Sequence, residues 1–254
     1  AAAIAVELAR RGHAVHLTTT DPAAHVQNTI GVVPAGLTVS RIDPKVETEA
    51  YRAEVLASSG ATLDSQGLAL LEEDLRSPCT EEIAVFRAFA AAVDRGKNGF
   101  VVLDTAPTGH TILLLDAALA YHRELSRQSN DIPESVQKLL PRLRDPEFTR
   151  ILIVTLPEAT PVHEAARLQD DLLRADIRPY GWVINQSLTP LSVTDPVLLA
   201  RKEHEGAYIG EVVQKLSPRT SIIPWLIQTP VGAERLLAAV RGQTGETAWQ
   251  AKAS

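Results

Sequence analysis

The sequence predicts an α/β protein built on a mostly parallel sheet. Short apolar runs alternate with longer helix-forming segments along all 254 residues, and no polar linker is long enough to divide two domains. The runs Phe100-Val101-Val102-Leu103 and Ile151-Leu152-Ile153-Val154 lack polar alternation, the pattern of strands buried on both faces. Such runs end in polar residues, Asp104 after the first and Asn185 after Trp182-Val183-Ile184. Ligands of open parallel folds collect at the carboxyl ends of their strands. The expectation is one three-layer α/β/α domain over residues 1–241, with a C-terminal tail over 242–254.

Each element has its own justification. Ala1 to Arg11 is helix-forming and Gly12 supplies its C-terminal cap. Ala14 to Thr19 is a strand ending in Thr20-Asp21-Pro22, and Leu37 to Ile42 is a strand that stops at Asp43-Pro44. Val46 to Ala57 forms a helix. Leu63 to Arg76 and Thr80 to Val93 form two more, because Pro78 breaks the first while Thr80 with Glu82 offers a start for the second. Lys97-Asn98-Gly99 is a turn feeding the strand of Asp104. A helix over 112–126 and a shorter one carrying Val136, Leu139, Leu140 and Leu143 follow it. Beyond strand Ile151 to Thr155 come the amphipathic helix Val162 to Ala175 and the strand Gly181 to Gln186. Val197 to Leu216 reads as one long helix whose charged face, including Arg201, Glu205 and Glu211, is solvated. Strand Ser221 to Leu226 and helix Ala233 to Val240 complete the pattern.

Composition excludes several classes. Hydrophobic content of 45% with 22% charged residues is ordinary for a globular chain. A net charge of −6 gives no footing for general nucleic-acid binding. No apolar run approaches the roughly 20 residues needed to span a bilayer, and no signal-peptide pattern is visible. The single cysteine excludes an internal disulfide and fits a reducing cytoplasm. The sequence contains no methionine and opens within a helical stretch, which suggests a piece of a longer chain.

Chemistry concentrates in Asp104-Thr105-Ala106-Pro107-Thr108-Gly109-His110-Thr111. A carboxylate at a strand end, a stiffened polar turn and a helix N-terminus suit magnesium–phosphate chemistry, in which the carboxylate helps hold the metal and the turn senses the terminal phosphate. A lone Asp here could equally cap the next helix; the octet is more specific. It resembles the signature of the arsenical pump-driving ATPases, soluble P-loop enzymes that power arsenite extrusion, and of their relatives that target tail-anchored membrane proteins. The resemblance covers nearly the whole chain, and the segment is most similar to the second of the family's two tandem halves. It implies a P-loop NTPase fold of the deviant Walker A, SIMIBI type. In that family the helix matching Ala1 to Arg11 directly follows the phosphate loop. The resemblance therefore implies that the first strand and the P-loop are missing here, and that these residues alone bind ATP negligibly and are inactive.

Residue roles follow from the resemblance. Asp104 would hold the Mg²⁺ water shell, and Asp21 would orient the attacking water; the other reading of Asp21-Pro22 is a plain turn. Thr105 and Gly109 belong to the turn that contacts nucleotide and relays metalloid occupancy. Asn185 would pair its amide with adenine, or else be a turn asparagine, and Pro224 would lie against the base. Residues 77–95 match part of the metalloid-sensing region, where Cys79, with His110 and Ser77, would ligate As(III) or Sb(III). Cys79 could instead be a small buried hydrophobe, His110 a turn histidine and Ser77 a helix-end residue. The implied cofactors are ATP and Mg²⁺, with As(III) or Sb(III) as allosteric ligand. The implied partners are a membrane arsenite pump subunit, an arsenic metallochaperone and a second homologous half or homodimer, with no nucleic acid. The implied location is cytoplasmic, peripheral to the inner membrane. The targeting branch carries a Met-rich groove and a zinc-binding C-x-x-C, neither of which this sequence contains, so the arsenical branch is favoured. An inert fragment is the third reading.

Overall fold

A computed structural model describes residues 1–21, 26–60, 63–105 and 133–241. Gly109, His110, the expected helix over 112–126 and the tail over 242–254 lie outside them. Within them helices alternate with strands as expected, and the element boundaries have local causes.

Helix α1 (Ala2–Arg10) ends in a Schellman motif: Gly12 N–H donates to the Ala9 carbonyl at 2.9 Å and His13 N–H to the Leu8 carbonyl at 3.2 Å, with Gly12 at φ 88°. Strand β1 (Val15–Thr19), helix α2 (Val26–Ile30) and strand β2 (Leu37–Arg41) follow. The Asp43-Pro44 stop after β2 is also the start of α3 (Pro44–Ser59), because the Asp43 carboxylate accepts from Lys45 N–H and Pro44 takes the first helical position. Asp64 caps α4 (Ser65–Asp74) in the same way through Gly67 N–H, at 2.8 Å. Helix α5 (Pro78–Asp94) begins two residues before the expected Thr80. Pro78 occupies its first position, where a missing N–H costs nothing. Thr80 is buried in the first turn, and its hydroxyl donates to the Asp74 carbonyl at 3.2 Å. A 3₁₀ turn (Arg95–Asn98) leads to β3 (Phe100–Asp104). Gly99 is required there, since a Cβ would lie 2.6 Å from the Ala14 carbonyl oxygen.

Helix α6 (Glu134–Arg144) buries Val136, Leu139 and Leu140, the expected apolar stripe. Strand β4 (Leu152–Thr155), helix α7 (Ala159–Arg174) and strand β5 (Gly181–Ser187) come next. The long helix expected from Val197 to Leu216 is α8 (Pro196–Glu211), capped by Asp195, followed by a π-helical turn over Val212–Leu216. Strand β6 (Thr220–Pro224) and helix α9 (Ala233–Val240) complete the described chain.

The residues form two compact units, one comprising Ala14–Ala24 and Thr38–Pro141, the other Ala1–His13, His25–Leu37 and Arg142–Ser254. In the first, the strand order is β2-β1-β3, and β1 runs parallel to β3 from Val15 opposite Phe100 to Thr19 opposite Asp104. Strand β1 is central and deeply buried at Val15, Leu17, Thr18 and Thr19. Helices α3 and α5 pack together, with the Arg87 guanidinium over the Tyr51 ring and 2.8 Å from the Glu54 carboxylate. In the second unit the order is β4-β5-β6, parallel throughout. Central β5 buries Trp182 and Ile184, and the Trp182 indole N–H donates to Gln169 Oε1 at 2.7 Å. Ala5, Val6 and Ala9 of α1 are buried where α1 meets α9. Glu7 joins Arg10, Arg11 and Arg241 there. Hydrogen bonds from Arg10 above all, then from Arg11 and Arg241, hold its carboxyl well below the usual carboxylate range.

His16 on β1 ties the first unit's sheet to the turn before β3. Its Nδ1 lies 2.8 Å from Thr38 Oγ1, and its Nε2 lies 3.1 Å from Arg95 Nη1. The guanidinium can only donate, so Nε2 accepts and the proton sits on Nδ1. Burial, and secondarily the Arg95 charge, push the His16 pKa below its ordinary 6.5. The unfolded chain therefore takes up a proton at a higher pH than the folded one, and stability declines as pH falls through the unfolded value. We predict that the urea midpoint drops more for wild type than for His16→Gln between about pH 7.5 and about pH 5.5. Equal drops would remove His16 as the cause.

Candidate functional site

The ends of β1 and β3 carry one set of candidate residues. Thr19 is 2% exposed at the last position of a buried strand, so its hydroxyl must find a partner inside the protein. It accepts the Asp21 backbone N–H at 3.0 Å, which turns the chain directly after β1. Thr20 N–H donates to the Asp104 carbonyl at 3.1 Å, extending the parallel ladder by one bond. Asp21 and Asp104, both half-buried, are thus brought to one edge of one sheet, with Thr105 exposed beside them. Their carboxylates are hard oxygen donors of the kind Mg²⁺ accepts. Among the described residues, no group of three or more His, Cys, Asp or Glu side chains converges on one point.

The ends of β5 and β6, in the other unit, carry a separate set. The register runs from Trp182 opposite Thr220 to Ile184 opposite Ile222, then shifts so that Ser187 faces Pro224. Trp225 N–H donates to the Ser187 carbonyl at 2.9 Å. Within the irregular stretch stand Asn185, half-buried, and Gln186, exposed in the left-handed region at φ 57°. Asn185 and Pro224, assigned to one role from sequence, therefore lie at the carboxyl ends of neighbouring strands.

Glu205 corrects the sequence reading. Expected on a solvated face, it is 1% exposed. Its Oε2 accepts from Ser187 Oγ and Leu188 N–H, both at 2.8 Å. The available signal was spacing, since Leu198, Glu205 and Val212 recur every seven residues and share one helix face.

The segment expected from the sequence to bind metalloid opens α5. Ser77 stands at its N-cap position, half-buried, with its hydroxyl 3.3 Å from Thr80 Oγ1. Cys79 is the second helical residue and is an exposed free thiol, which removes the buried-hydrophobe alternative. The other proposed ligand, His110, lies outside the described residues.

These features define a parallel α/β protein with carboxylates at one set of strand ends and an amide at another. The model of the anion-transporting ATPase family matches residues 1–130 and 118–239, and the chain belongs to that family. The arsenical pump-driving ATPase of Escherichia coli is 51% identical over 236 aligned residues, 93% of this chain and 40% of that protein. The putative arsenical pump-driving ATPase 2 of Aquifex aeolicus is 29% identical over 278 aligned residues, covering 92% of this chain and 90% of its own. ATPase GET3C of Arabidopsis thaliana is 25% identical over 300 aligned residues, 95% of this chain and 75% of that protein. This chain thus spans about 40% of the length of the Escherichia coli relative.

Thr19 was not singled out from the sequence, yet it shapes the turn to Asp21. Thr19→Val keeps the shape and removes the acceptor, leaving the part-buried Asp21 N–H without that partner. Stability should fall by about 0.5–1.5 kcal/mol, the net worth of one intramolecular hydrogen bond. An unchanged denaturation midpoint would show that the turn stands without it.

Proposed function

We propose that the complete protein hydrolyses ATP to drive arsenite and antimonite out through a membrane pump, and that this chain carries its switch, base-reading and metalloid-sensing residues. The observation that supports this most is the pairing of Thr19 with Asp104, which sets Asp21 and Asp104 at the ends of adjacent parallel strands. In this reading Asp104 holds the water shell of a magnesium ion, and Asp21 orients the water that attacks the terminal phosphate. Magnesium, when bound, supplies neutralisation of the phosphate charge. Thr105 and Gly109 take part in relaying metalloid occupancy to the nucleotide. The Asn185 amide offers one donor and one acceptor to the adenine edge, and Pro224 lies against the base.

Cys79 is the soft ligand for As(III) or Sb(III), with Ser77 and His110 as further ligands. One thiol makes a weak site for a thiophilic ion, so a second homologous half or a second copy contributes the remainder. An arsenic metallochaperone delivers the metalloid. The protein works in the cytoplasm, held at the inner membrane by the pump subunit. Among the described residues no helix is long and apolar enough to cross a membrane. Identity of 51% to the bacterial arsenical pump-driving ATPase, against 25% to GET3C, supports the pump branch over membrane-protein targeting.

The test is hydrolysis by the complete protein. Antimonite should raise its Mg-ATPase rate, and stable capture of a tail-anchored peptide with no such rise would overturn the reading. Asp104→Asn keeps size but removes the charge, and turnover should fall about 100-fold or more, the scale of losing one electrostatic stabiliser. Wild-type turnover at saturating magnesium and ATP would move the metal site elsewhere. Cys79→Ser should abolish the antimonite-dependent rise; retained stimulation would leave Cys79 a plain surface residue.

A further inference from the structure

Five contacts converge on the buried carboxylate of Glu205 from the turn after β5. Oε2 lies 2.8 Å from Ser187 Oγ, 2.8 Å from Leu188 N, 3.2 Å from Thr189 N and 3.2 Å from Thr189 Oγ1, while Oε1 lies 3.1 Å from Leu188 N. Just before this point the β5–β6 register shifts between Ile184 and Ser187 and Gln186 adopts φ 57°, and beyond Ser187 the strand ends. A turn without a regular ladder needs another source of order. Here that source is a side chain of α8, 16 to 18 positions further along the chain.

We propose that Glu205 is a positioning residue for purine recognition. By clamping residues 187–189 it fixes the direction in which the backbone leaves β5, and so the orientation of the Asn185 amide two residues upstream of Ser187. The proposal rests on the reading of Asn185 given above. Its chemistry is specific to a carboxylate. Glutamine has the same shape but replaces one acceptor oxygen with an NH₂ donor, which meets N–H and hydroxyl donors already aimed at that place.

The test uses the complete protein, with ATP and GTP as competing substrates. Glu205→Gln should raise the KM for ATP about tenfold and erode the preference for ATP over GTP by a similar factor, with the loss falling on KM rather than kcat. Combined with Asn185→Ala, it should add little to the loss caused by Asn185→Ala alone, because both act through one amide. A lower Tm with unchanged nucleotide preference would make Glu205 purely structural and overturn the proposal. If Asn185→Ala itself leaves the preference unchanged, the base-reading assignment fails first and this proposal with it. Should Glu205→Gln not fold, Thr189→Val removes a single donor. It should shift KM in the same direction by a smaller factor, and no shift would overturn the proposal.

Discussion

Parallel pairing is the constraint on which both units depend. A parallel ladder brings the carboxyl ends of its strands to one edge, whereas antiparallel neighbours would send them to opposite edges. The central strands β1 and β5 are deeply buried, so any polar group at their ends must be satisfied within the protein. Thr19 meets that demand by accepting from Asp21 N–H, and Ser187 by donating to Glu205. The same burial that makes the core thus bends the chain where the candidate site residues stand.

Much of this was legible in the sequence, because apolar runs closed by polar residues mark strands and their ends. The expected burial on both faces does not hold for the described residues of β3 and β4, where Phe100, Leu152 and Val154 are exposed. Phe100 to Leu103 announced β3 and Asp104 its end, and Gly181 to Gln186 announced β5, with Asn185 near its end. The capping aspartates could be read less completely. Asp43-Pro44 marked the end of a strand, but its second meaning, the cap and first position of α3, depends on where the Asp43 carboxylate turns.

What the sequence concealed were groups whose partners are remote. Glu205 sits among Arg201, Lys202 and Glu203, where local charge density points to water. Its actual partners are Ser187, Leu188 and Thr189, on a different element. Thr80 misled for a related reason, since a threonine followed two residues later by a glutamate looks like a helix start. Proline's fixed φ and missing donor suit it better to that end, and they moved the start of α5 to Pro78. Cys79 thereby falls in the first turn of the helix, facing water.

The ion pair between Glu7 and Arg241 spans 234 positions of sequence. Within these residues α1 is made well before α9, the helix that packs against it. Ala14–Ala24 and Thr38–Pro141, by contrast, lie nearly contiguous and can close their own unit while synthesis continues. Ala5, Val6 and Ala9 must wait in the open through that interval. A helix made 234 positions ahead of its ion-pair partner thus offers apolar surface to chaperones until that partner has been synthesised.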